Sequence, residues 1–125
     1  APDLPQANAA LTRGIQWFHA NASSKRPAGP VFYNNWAHIF TLQMAAEVAL
    51  DPRHKAHTEE CRLIMDVEIE RLASYQGADG GWGYYDYEHK SSRPSGVYST
   101  SFMTGTGFIK CIPITLPGFL VALAN

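Results

Sequence analysis

The stretch Gln76-Gly77-Ala78-Asp79-Gly80-Gly81-Trp82-Gly83-Tyr84-Tyr85-Asp86-Tyr87 decides how the chain is read. Four of residues 77–83 are glycine, so a preceding helix must end there and the backbone can turn through positive φ. An aromatic cluster, Trp82, Tyr84, Tyr85 and Tyr87, follows at once. What lies on either side of this turn sets the architecture.

Upstream, His54 to Tyr75 is predicted to be an amphipathic helix. Cys61, Ile64, Met65, Ile69 and Leu72 form an apolar stripe, and Arg62, Asp66 and Glu70 recur every four residues on another face. Before it, Asn35 to Leu50 is apolar nearly all round, which predicts a helix buried by other elements. Asn34 or Asn35 is positioned to cap that helix, and Asp51-Pro52 stops it. Gln6 to Ala22 has helical spacing in Ala7, Ala10, Leu11, Ile15 and Phe18. The prolines of Lys25-Arg26-Pro27-Ala28-Gly29-Pro30 make that segment a linker.

Downstream, His89 to Gly96 reads as a polar loop. Ser99 or Thr100 caps a helix through about Cys111 that carries one charge, Lys110, and many small residues: Ser101, Thr104, Gly105, Thr106 and Gly107. Pro113 and Pro117 are expected to break it, with Leu116 to Asn125 beginning another apolar helix. No series of β-strands is evident. The expected fold is all-α, with four to five helices in which buried and amphipathic helices alternate.

Gln76 followed by Asp79-Gly80-Gly81-Trp82-Gly83-Tyr84 resembles the QW-type repeat of the terpene cyclase and protein prenyltransferase superfamily. More narrowly, two passages are similar to bacterial prenyltransferase and squalene oxidase repeat proteins. One is Tyr33-Asn34-Asn35-Trp36-Ala37-His38 with Leu42-Gln43; the other is Asp79 to Asp86 with Thr100-Ser101-Phe102. The resemblance covers residues 31–112. It implies an α/α toroid, a ring of helical hairpins with buried inner and amphipathic outer helices. In that family Gln76, Gly81 and Trp82 would be structural: the Gln follows an outer helix, the Gly turns the chain, and the Trp stacks beneath the next inner helix. A full ring of about twelve helices needs on the order of 250 residues. The 125 residues here would form one helical domain supplying one-third to one-half of a ring.

The resemblance does not bring chemistry with it. The acidic Asp-x-Asp-Asp motif of squalene–hopene-type cyclases is absent, and the zinc-binding Asp, Cys and His of protein prenyltransferases have no counterparts. Fold alone does not fix function. The implied role is a non-catalytic module that binds an apolar, isoprenoid-like ligand or completes a larger toroid, without cofactor. The alternative is a structural or interaction subunit whose inner helices pack on partner chains. A third reading is an enzyme acting on a terpenoid or polysaccharide. In a toroid the starts of the inner helices face the mouth of the cavity, so Tyr33, Asn34, Tyr85, Thr100 and Thr104 are the candidate ligand contacts. His38 and Asp86 are the candidate acid–base pair.

Composition narrows the field further. Ten basic and eleven acidic residues leave a net charge of −1, which argues against binding nucleic acid through phosphate contacts. No run of about 18 apolar residues exists, so no transmembrane helix is expected. Charged residues make up 17% of the chain, below the roughly 25% of ordinary soluble domains. That deficit fits a surface covered by a homo- or hetero-oligomeric partner, or by the remainder of a longer polypeptide. The start Ala1-Pro2-Asp3 fits an exported, processed chain or a trimmed one, and Asn21-Ala22-Ser23 matches a glycosylation sequon. Cys61 and Cys111 are compatible with one disulfide or with two core thiols. His54, His57 and Cys61 have the i, i+3, i+7 spacing of metal ligands on a helix, but two solvated histidines beside a buried thiol is the preferred reading, so no metal site is assigned.

Overall fold

The computed structural model describes residues 4–21, 35–85 and 98–124, with the side chains of its last helix described over 100–114. Among the described residues four α-helices pack together: α1 (Pro5–Asn21), α2 (Asn35–Leu50), α3 (Thr58–Ser74) and α4 (Tyr98–Ala124). No strand is present among the described residues. The expected linker at 25–30 and loop at 89–96 lie outside the described residues, as do Tyr33, Asn34, Asp86 and Tyr87.

α2 is the central element. It packs against α3 on one side and α4 on the other, while α1 lies on α3. Asn35, Ile39, Leu42, Ala45 and Ala46 form its buried face. α3 contributes Cys61, Ile64, Met65, Glu68 and Leu72, and α4 contributes Thr100, Thr104, Gly107 and Cys111. Each set repeats at three- and four-residue intervals, the spacing of one helical face. Ile15 of α1 is buried in the same core. Burying each of the large aliphatic side chains stabilises the fold by roughly 1.5–3 kcal/mol.

Three sequence expectations are corrected. α2 is not covered all round: Phe40 and Leu50 are 56% and 45% exposed, because α3, α4 and the turn after α2 cover only part of its circumference. The segment before α3 is not one long helix. Pro52–His57 forms a 3₁₀ turn, and His54, at φ −112° and ψ 23°, interrupts helical geometry. Asp51 caps that turn by accepting from the Arg53 backbone N–H at 2.9 Å. Last, α4 runs through Pro113 and Pro117 to Ala124, so no separate fifth helix begins at Leu116. Proline has a helix-compatible φ but frees the carbonyl four residues earlier. Ile109 and Pro113 both face solvent, where water can satisfy the carbonyl that Pro113 leaves free.

Candidate site at the α2–α3 joint

The turn after α3 builds one end of the site. The Gly80 backbone has φ +80°, a conformation that disfavours side chains other than glycine. Gly77 N–H donates to Gly81 O at 2.8 Å and Gly80 N–H to Gly77 O at 2.9 Å, closing a compact loop. The Gln76 side chain donates to Gly80 O at 2.7 Å and so braces the loop. Gly81 N–H donates to the Asp79 carboxylate at 3.2 Å. The loop delivers Trp82 into the core, where its indole N–H donates to Leu72 O at 2.6 Å. Its ring meets Phe108 of α4 edge-on, with centroids 5.7 Å apart. Trp82 thus ties the end of α3 to α4.

Beyond Trp82 the chain crosses the start of α2. Asn35 does not use its side chain as a helix cap. Its amide donates to Gly83 O at 2.9 Å and Tyr85 O at 3.0 Å, and its backbone N–H donates to Tyr84 O at 3.2 Å. Asn35 is fully buried and its Oδ1 has no hydrogen-bond partner. Ser101 Oγ accepts from Trp82 N–H at 2.9 Å. Residues 82–85 therefore connect the first turns of α2 and α4.

One turn into α2, His38 meets α3. Its Nδ1 lies 2.7 Å from Glu68 Oε2, and both side chains are largely buried. Arg71 Nη1 donates to the other oxygen, Glu68 Oε1, at 3.3 Å. The Tyr75 ring lies 5.5 Å from the imidazole, centroid to centroid. Where Glu68 accepts as a carboxylate, Nδ1 is the donor and Nε2 is the second ring nitrogen. Such a pair can orient an imidazole and hold or move a proton. It also joins two helices through a buried polar contact.

The candidate residues separate accordingly. His38 finds a carboxylate, but that carboxylate is Glu68; Asp86 lies outside the described residues. Tyr85 is half exposed and enters the joint through its backbone carbonyl. Thr100 and Thr104 are fully buried on the α2-facing side of α4, and Thr104 Oγ1 donates to Thr100 O at 2.8 Å. Glu68 was missing from the candidates. Its signal was an acidic residue at the place in the α3 stripe, seven residues after Cys61 and four before Leu72, where an apolar one belongs.

The histidines of the 3₁₀ turn have separate partners. His57 Nε2 is 3.1 Å from Thr12 Oγ1 of α1, and its Nδ1 is 3.5 Å from Glu60 Oε2. His54 Nε2 is 4.0 Å from Asp51 Oδ2. They do not share a helix with Cys61 as the spacing suggested. No group of three or more His, Cys, Asp or Glu able to hold a metal occurs among the described residues. Cys61 and Cys111 are buried thiols, and burial pushes both up to about 11. Nor is any helix, among the described residues, long and apolar enough to cross a membrane.

Comparison with protein-family models, with curated proteins and with solved structures gives no match.

Proposed function

We propose that the chain is a non-catalytic α/α-hairpin module of the prenyltransferase-like repeat type, whose exposed α4 face is completed by further helices of the same class. The observation that carries this reading is the two-sidedness of α4. Its inner face, through Gly107, lies directly on Leu42 of α2. Its outer face exposes Phe102, Ile109 and Ile112 at 59%, 68% and 46%. These residues fall at i, i+7 and i+10, one side of a helix. Exposed apolar side chains aligned on one helix face fit an interaction surface. Direct contact between α2 and α4 supports assembly over ligand binding between those two helices. The buried His38–Glu68–Arg71 group serves in this reading as the polar joint of the hairpin.

Analytical ultracentrifugation and binding of an apolar-surface dye test the proposal, with Ile109→Glu as the variant. The chain should self-associate at micromolar concentration or bind the dye strongly. Ile109→Glu should reduce whichever signal is present while leaving helicity unchanged. A monomer that binds no dye overturns the proposal.

A further inference from the structure

We draw no further inference here: the strongest candidate, the buried His38–Glu68–Arg71 cluster between α2 and α3, belongs to the site already described.

Discussion

On its α3 side, α2 is held by a largely buried polar group: His38 against Glu68, with the half-buried Arg71 on the second carboxylate oxygen. On its α4 side it is held by close approach. A Cβ placed on Gly107 would stand 3.0 Å from Leu42 Cδ2, and Gln43 donates across the gap to Met103 O at 3.0 Å. The only ion pair described there, Lys110 with Glu47 at 2.7 Å, sits at the exposed rim. The difference separates two ways of fixing a helix. A buried pair works only in the geometry that satisfies both partners, so it specifies register. A small-residue contact works by shape, and any added volume is felt.

The largest effect is expected on the polar side. Glu68→Ala removes the carboxylate that His38 and Arg71 share and should lower unfolding free energy by up to about 3 kcal/mol. The double substitution His38→Leu with Glu68→Leu should recover most of that loss, since apolar groups of similar volume can replace a buried pair. Denaturant titrations of both variants check this; a loss below about 1 kcal/mol for the single variant would remove the joint from the account.

On the close-packed side, Gly107→Val should destabilise by about 1–3 kcal/mol through overpacking against Leu42. Gly105, on the same helix, has nothing within 4 Å of an added Cβ. Gly105→Ala should therefore stabilise by up to about 1 kcal/mol through helix propensity. Thermal melts that give the two substitutions the same sign would contradict the assigned faces of α4.

The thiols sharpen the comparison, since Cys61 lies on α3 and Cys111 on α4. Both should resist alkylation at pH 8 in the folded protein and react at once in denaturant, because burial disfavours the reactive thiolate. Gly107→Val should speed labelling of Cys111 more than of Cys61, and Glu68→Ala the reverse. Mass spectrometry of labelled peptides distinguishes the outcomes.

The smallest effects belong to the surface. Lys110→Ala should cost less than about 1 kcal/mol, and the loss should shrink in high salt. Asp51 is held at about 2, chiefly by its hydrogen bonds from the Arg53 side chain and backbone, against an ordinary value of 3.8. A carboxyl lowered in the folded state contributes stability above its ordinary value and loses it as pH falls toward 2. Asp51→Asn should flatten the stability profile in that acid window, as urea unfolding at pH 2 to 5 would reveal.

Much of this fold was legible in the sequence. The bounds of α2 follow from an apolar run between asparagines and Asp51-Pro52, and the end of α3 from the glycines after Gln76. These are local matters of capping, periodicity and chain breaking. Glu68 was legible only as an anomaly in a stripe, because no local rule names the partner of a buried acid. The length of α4 was misread because proline's effect on a helix depends on whether water can reach the freed carbonyl.

The sequence by itself determined that this chain is helical, where three of its helices lie, and that the glycines after Gln76 end the third. Local backbone preference and side-chain periodicity suffice for that. Only the tertiary structure decided that His38 pairs with Glu68, that Gly107 is the point of closest approach, and that Phe40, Phe102, Ile109 and Ile112 are left uncovered. Those facts depend on which helix faces meet, and that is fixed by packing between residues 30 to 65 positions apart rather than by any stretch of the chain alone.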